Sequence, residues 1–267
     1  MHGLIGVQGK FHLDEAVLEQ MPKGIEIVSA EAYGVSAWTR TAKVSTTLPD
    51  GTYKRYFLKC AVGDHAKTML CGEFTSMKEI YALVPGLVPV PHGWGRYTKT
   101  EPEIYFFLSD FVDMSTTAPD PERLAMRLAE LHLKSRSPSD MFGYHVITCD
   151  GRLPLTVEWE ASWARFFSKL LRGVLKLDAE VNGIWDELDA AAEHLVAAVI
   201  PRLLGILQAD DRVSKSSLIH GDCWEGQSCF SHSFIPFNCY LKMAKRFHVT
   251  FISYEVLVHL EGNLSMK

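Results

Sequence analysis

The chain has 267 residues, of which 47% are apolar, 11% aromatic and 22% charged. This composition is that of a globular protein and excludes a chain that is disordered throughout. Lys and Arg number 27 against 32 Asp and Glu, so the net charge of −5 gives no support to nucleic-acid binding through bulk positive charge.

Neither a secretory signal nor a membrane span is expected. The N-terminal segment acquires charge at Lys10 and Asp14, which interrupts any apolar core of a signal peptide. The longest stretch without formal charge, 226–241, is shorter than the roughly 20 residues of a membrane helix and contains Pro236. Six scattered cysteines without CxxC pairs predict reduced thiols and a cytoplasmic protein.

The first part of the chain, 1–112, is predicted to be rich in β-structure. A short helix over 14–21, capped by Asp14, precedes three strands of a meander within 25–62. The turns fall at 33–36 (Tyr-Gly-Val-Ser) and at Pro49-Asp50-Gly51. A helical period then predicts a helix over 67–84, and a Pro/Gly-rich connector leads to a further strand over 104–112.

The second part, 113–227, is predicted to be mainly helical. Asp120 and Pro121 open one helix, an aromatic run from Trp159 to Leu171 marks a second, and a third covers 184–207 with a bend at Pro201. The sequence therefore predicts an α+β protein of two lobes, with a cleft between them as the expected ligand site.

A lysine and a glutamate in the first part form a candidate functional pair. Lys59 ends the strand YFLK, and Glu73 lies on the flank of the apolar stripe of the helix that follows. Enzymes that transfer phosphoryl groups use such a strand lysine, held by a helix glutamate, to bind the phosphates of ATP. Two unrelated surface charges are the alternative interpretation.

A second candidate motif is His220-Gly221-Asp222 in LIHGDCWEGQ. In phosphotransferases an aspartate in this position accepts the proton of the attacking hydroxyl, and a downstream amide side chain holds a metal ion. The three-residue string has little specificity alone, but its place far downstream of Lys59 and Glu73, after a helical stretch, favours this function.

These segments together resemble the fructosamine/ketosamine-3-kinase family, within the aminoglycoside phosphotransferase and protein-kinase-like superfamily. The resemblance extends from about residue 10 to 227 and rests on the segments YFLKC, KTMLCGEFTSMKEIY, VPVPHGWG, FLSDFVDM, LAELHLKS, MFGYHVITCDGRLP and LIHGDCWEGQ. It implies a two-lobe kinase-like fold, with ATP and Mg²⁺ as cofactors. The implied substrate is a ketosamine, either on a glycated protein or as a small molecule, phosphorylated at its 3-hydroxyl.

The resemblance also implies roles for individual residues. Lys59 corresponds to the phosphate-binding lysine, Glu73 to its partner and Asp222 to the catalytic base. The hinge that meets the adenine ring corresponds to Asp110-Phe111-Val112. The turn at 33–36 corresponds to the nucleotide-covering turn, without its glycine-rich signature, and an ordinary hairpin turn is the alternative.

The sequence departs from the family pattern near Gln227. The family motif reads HGDLWSGN, so Gln227 stands in place of the metal-binding asparagine, and its additional methylene displaces the amide by roughly 1.5 Å, whereas metal ligands tolerate about 0.2 Å. The family then supplies its principal magnesium ligand from an Asp-Pro, but 228–267 contains no aspartate. We therefore expect a divergent tail over 228–267 and weak or no activity.

Three functions remain open from the sequence. The first is a ketosamine-3-kinase that takes part in deglycation. The second is a kinase of a small alcohol such as an aminoglycoside or choline, against which FGYH and the Trp after HGD argue. The third is a catalytically weak pseudokinase or truncated isoform that lacks the metal-binding aspartate.

Overall fold

The computed structural model describes residues 11–113, 120–209, 216–219 and 242–245. These residues form two compact units: the first comprises 11–113 and 120–128, and the second comprises 129–209, 216–219 and 242–245. The division falls within a helix, between Leu128 and Ala129. The lobe boundary at 112 stays a prediction from the sequence.

The first unit is built on a five-stranded antiparallel sheet. Its strands are β1 (Glu26–Ala32), β2 (Arg40–Thr47), β3 (Tyr53–Val62), β4 (Pro91–Arg96) and β5 (Ile104–Asp110), in the order β1-β2-β3-β5-β4. The predicted three-strand meander is confirmed by β1, β2 and β3. The predicted strand at 104 is also confirmed, although it ends at Asp110.

Strand β4 was not predicted, because the segment reads locally as a Pro/Gly-rich connector. It forms as an edge strand on β5, and its register is irregular between Pro91 and Gly93. Proline lacks a ladder donor and is tolerated at sheet edges and bulges. The pairing with β5 therefore decides the conformation of this segment, and no local propensity indicates it.

The two faces of this sheet carry different helices. On β3, Tyr56, Leu58 and Cys60 point to a core that includes Val17 of helix α1 (Glu15–Leu18). Asp14 caps α1, as predicted, by accepting a hydrogen bond from the Ala16 N–H at 3.0 Å. Because strand side chains alternate, the residues between these on β3 face the other side, where helix α2 (Asp64–Leu83) packs.

The second unit is mainly helical. After α3 (Pro121–Lys134), which spans both units, it contains α4 (Trp163–Asn182), α5 (Asp186–His194) and α6 (Ile200–Leu204). Two short antiparallel pairs accompany them, β6 (Cys149–Asp150) with β7 (Leu153–Pro154) and β8 (Ser216–Ile219) with β9 (Lys242–Lys245). The described units confirm the α+β class.

Helix α4 begins later than the aromatic run suggested. Ser162 caps it by accepting a hydrogen bond from the Arg165 N–H at 3.4 Å, so Trp159 lies outside the helix. Trp163 and Phe166 of this run are buried with Phe142 and with residues of α6. A local cap therefore overrides the apolar period at this helix start.

The bend predicted at Pro201 takes the form of a π-helical turn just before it. Helix α5 continues into a π-helix over Leu195–Val199, which closes with a bond from the Ile200 N–H to the Leu195 carbonyl, and then into α6. Because Pro201 has no N–H for the preceding turn, the widened turn absorbs the change of register.

Among the described residues, one helical run, Asp186–Leu207, is long and apolar enough to cross a membrane by length and composition, and 22% of its most apolar window is buried. A single such helix also occurs in soluble proteins, so the absence of a membrane span stays a prediction.

Candidate functional site

The predicted Lys59–Glu73 pair forms in the structure. The Lys59 Nζ lies 2.6 Å from the Glu73 Oε1, and the two side chains are 10% and 13% exposed. The interpretation of two unrelated surface charges is therefore wrong. Charges with so little exposure are unfavourable without a close partner of opposite sign, and each of these two groups provides one for the other.

Glu73 lies at the centre of the buried face of α2 and not on its flank as predicted. The helix buries Met69, Leu70, Met77 and Ile80 around it. At 100° per residue these positions flank residue 73 on both sides. The carboxylate therefore points into the packed interface of the helix, where Lys59 on β3 can reach it.

The face of the sheet that carries Lys59 also carries an aromatic side chain. Phe57 lies two residues earlier on β3 and therefore points to the same side, where it is half-buried. It pairs directly with Lys43 of β2, while Lys59 pairs with Thr41. This face thus combines cations with an apolar ring, which suits a ligand with a phosphate end and a planar end.

Two backbone N–H groups of the predicted hinge, Asp110-Phe111-Val112, form hydrogen bonds within the first unit. The Asp110 N–H donates to the Val90 carbonyl at 2.9 Å and the Phe111 N–H to the Arg55 carbonyl at 3.1 Å. No hydrogen bond to another described residue engages the Val112 N–H. Of the three, Val112 therefore has the backbone donor best suited to a ligand.

The side chain of Asp110 has a structural role that the sequence did not reveal. Its Oδ1 lies 2.6 Å from the His92 Nε2 and 3.0 Å from the Lys54 Nζ. Burial raises the pKa of Asp110, but the hydrogen bonds from His92 and Lys54 outweigh this effect and lower it. His92 belongs to the unpredicted β4, so no local pattern could have indicated this cluster.

The turn between β1 and β2 is longer than predicted and spans residues 33–39. Gly34 has φ +75°, which favours glycine, and the Ser36 hydroxyl accepts from the Thr39 N–H at 3.2 Å and from the Thr39 Oγ1 at 2.8 Å. The backbone N–H groups of Gly34, Val35 and Ser36 have no acceptor in the described part of the chain. Successive N–H groups of this kind can bind phosphate oxygens.

The residues predicted to catalyse the transfer and hold metal, Asp222 and Gln227, lie outside the described residues, as does His220. Within the described ranges no group of three or more His, Cys, Asp or Glu side chains could hold a metal ion.

The FGYH motif is explained by close packing in the second unit. Gly143 has φ +151°, and a Cβ atom there would lie 2.8 Å from the Val157 carbonyl oxygen and 2.9 Å from the Trp159 Cα. The Phe142 N–H donates to the Glu160 carbonyl, and the Glu160 N–H donates to the Phe142 carbonyl, each at 2.7 Å. A cavity of about 740 Å³ beside α4 is lined by Tyr144, His145 and residues 154–159.

Comparison with known proteins identifies the family. The fructosamine kinase family model matches residues 14–237, most of the chain. A chloroplastic protein-ribulosamine 3-kinase of Oryza sativa subsp. indica is 27% identical over 60% of this chain and 44% of its own length. The ketosamine-3-kinase of Mus musculus is 24% identical over 64% of this chain and 60% of its own length. The chain thus spans about half the length of these curated relatives.

A solved structure supports the fold. A crystal structure assigned to the fructosamine-3-kinases, from Haemophilus somnus 129PT, superposes with a TM-score of 0.64 at 18% identity, covering 94% of this chain and 84% of that chain. At this identity the likeness establishes the fold, which is the expected kinase-like α+β architecture. With the family match over 14–237, the chain belongs to the fructosamine kinase family of phosphotransferases.

Proposed function

We propose that this chain is an ATP-dependent kinase that transfers the γ-phosphate to the 3-hydroxyl of a ketosamine, either on a glycated protein or as a small molecule. The observation that carries the proposal is the buried Lys59–Glu73 pair, 2.6 Å apart, in a member of the fructosamine kinase family. Burying two charges is unfavourable unless they pair closely. An ammonium held in place by such a pair is suited to binding phosphate.

The nucleotide is proposed to lie along the Lys59 face of the sheet. Lys59 would bind the α- and β-phosphates, with Glu73 fixing the position of its ammonium. The backbone N–H groups at 34–36 add donors for phosphate oxygens. The Val112 N–H and the ring of Phe57 suit the base.

Asp222 is proposed to accept the proton of the attacking 3-hydroxyl, as the family motif HGD implies. A bound Mg²⁺ would neutralise the phosphate charge that develops during transfer. Gln227 is the residue of this chain that would face the metal, and its longer side chain fits the ligand position poorly.

The substrate class is supported by the relatives. The matched family is named for fructosamine, and the rice and mouse relatives for ribulosamine and ketosamine. All three names denote a ketose joined to an amine. The common element, a ketosamine, is the substrate class we propose.

The test is phosphorylation of a ribulosamine and a fructosamine adduct of lysine by the purified chain with Mg-ATP. Phosphate transfer that disappears in Asp222→Asn, while ATP binding persists, would support the proposal. Lys59→Met should remove both binding and transfer. A folded chain that binds no ATP under these conditions would contradict it.

A second candidate function is nucleotide binding with little or no turnover. It is favoured by Gln227 and by the absence of aspartate from 228–267. Metal-dependent ATP binding without phosphorylation of either adduct would support this function. Transfer at an ordinary kinase rate that Asp222→Asn abolishes would exclude it.

A further inference from the structure

Tyr33, the first residue of the β1–β2 turn, turns its ring toward the predicted hinge. Its ring centroid lies 4.8 Å from that of Phe111, with an interplanar angle of 75°. Its backbone is held by a hydrogen bond from the Tyr33 N–H to the Thr41 carbonyl at 2.9 Å. The turn and the hinge are therefore joined by an aromatic contact, although they are far apart in sequence.

Phe111 is itself fixed from another direction. The guanidinium carbon of Arg55 lies 5.0 Å from the Phe111 ring centroid, and the Arg55 Nη1 donates to the Asp113 Oδ1 at 2.9 Å. Edge-to-face aromatic pairs and cation–π contacts both favour a defined ring orientation. Tyr33 thus rests against a positioned ring and not against a mobile side chain.

The Tyr33 ring lies on the face of the sheet that carries Lys59. The Nζ of Lys43 is 6.0 Å from the Tyr33 ring centroid, and Lys43 pairs with Phe57, which shares its face with Lys59. Tyr33 is 37% exposed, so part of the residue stays accessible to a ligand, whereas Val35 at the tip of the turn is 92% exposed. A planar base beside Val112, with its phosphates near Lys59, would meet this ring.

We propose that Tyr33 binds the base of the nucleotide by stacking. The inference rests on the proposed function, because it requires that a nucleotide occupies the Lys59 face. Base–aromatic stacking uses the ring face and needs no hydrogen-bond partner, so Tyr33 can act without a glycine-rich turn.

The test is a titration of the purified chain with Mg-ATP and with magnesium tripolyphosphate, which carries the phosphates but no base. In Tyr33→Ala the Kd for ATP should rise about tenfold, equivalent to about 1.4 kcal/mol, while the Kd for tripolyphosphate changes less than about twofold. Tyr33→Phe should retain the ATP affinity of the wild type. The matched control is Tyr53→Ala, an exposed tyrosine at the start of β3, which should change neither affinity.

Two outcomes would overturn this inference while leaving the proposed function intact. If Tyr33→Ala does not change the Kd for ATP, the ring does not contact the base. If Tyr33→Ala weakens ATP and tripolyphosphate equally, Tyr33 only positions the turn. A folded wild type that binds neither ligand would instead overturn the proposed function and this inference together.

Discussion

The buried pair Lys59–Glu73 provides the strongest test of the site, because its effects on stability and on binding can be separated. Three variants form a cycle: Lys59→Met, Glu73→Leu and the double variant. Each single change leaves one charge in a site where the side chains are only 10% and 13% exposed. Removing the ammonium, as in Lys59→Met, should cost about 3 kcal/mol or more of unfolding free energy, because the Glu73 carboxylate loses its partner at 2.6 Å.

The double variant should behave differently, because it leaves no charge behind. Replacing a buried pair by apolar side chains of similar volume is often nearly neutral, so we expect a loss of about 1 kcal/mol. The double variant should therefore be more stable than Lys59→Met. ATP binding should nevertheless be lost in Lys59→Met and in the double variant alike, because the phosphate-binding ammonium is absent from both.

The assay is urea unfolding at constant m-value, with ATP binding measured on the same samples. Lys78→Met is the matched control, since Lys78 is an exposed residue of α2 and its removal should change stability by less than about 0.5 kcal/mol. Additive losses, in which the double variant is the least stable of the three, would refute the reasoning that the two charges compensate each other.

Three further predictions concern the scaffold. Asp14→Ala should lower the unfolding free energy by about 2 kcal/mol in urea unfolding, because it removes the cap of α1 and the bonds to the Thr98 N–H at 3.0 Å and the Thr98 Oγ1 at 2.9 Å. Asp110, whose pKa is lowered in the folded chain, should stabilise the protein above its unfolded pKa of about 3.9, and this stabilisation should disappear as the pH falls through the lower folded value. Asp110→Asn should therefore flatten the acid side of the stability profile measured by thermal unfolding. Gly143→Ala should destabilise more than Gly183→Ala, which has φ +88° and no atom within 4 Å of the added Cβ, and thermal unfolding of both variants compares them.

Each of these has an outcome that would contradict it. An Asp14→Ala variant as stable as the wild type would show that water replaces its hydrogen bonds without loss. An acid limb that is unchanged in Asp110→Asn would remove Asp110 from the pH dependence. Equal losses in the two glycine variants would mean that positive φ alone, and not close packing, explains Gly143.

Much of the first unit could be predicted because its signals are local. The cap at Asp14 and the turn at Pro49-Asp50-Gly51 each involve only a few neighbouring residues. The boundaries were less predictable, since β5 ends at Asp110 and α4 begins at Trp163. A helix end depends on its cap, and a strand end depends on where its pairing partner ends. Hydropathy predicts neither.

The sequence identified the residues of the site better than it predicted their arrangement. Lys59 and Glu73 were identified from position and motif, but the flank assignment of Glu73 was wrong because the apolar stripe was centred on the wrong side of α2. Several half-buried apolar residues of α2 fit either centre, so the period alone could not place the carboxylate. The contacts of Asp110 with His92 were not predictable, because they depend on a strand that exists only by pairing.

By itself, the sequence determined the family, the α+β class and the identity of the pair at Lys59 and Glu73. It did so because motifs, caps and periods are properties of neighbouring residues. Only the tertiary structure decided that the pair is buried and in contact, that β4 forms the sheet edge, and that Tyr33 lies against Phe111. Each of these depends on the packing of segments far apart in the chain, and contact energies between such segments leave no signal in the local sequence.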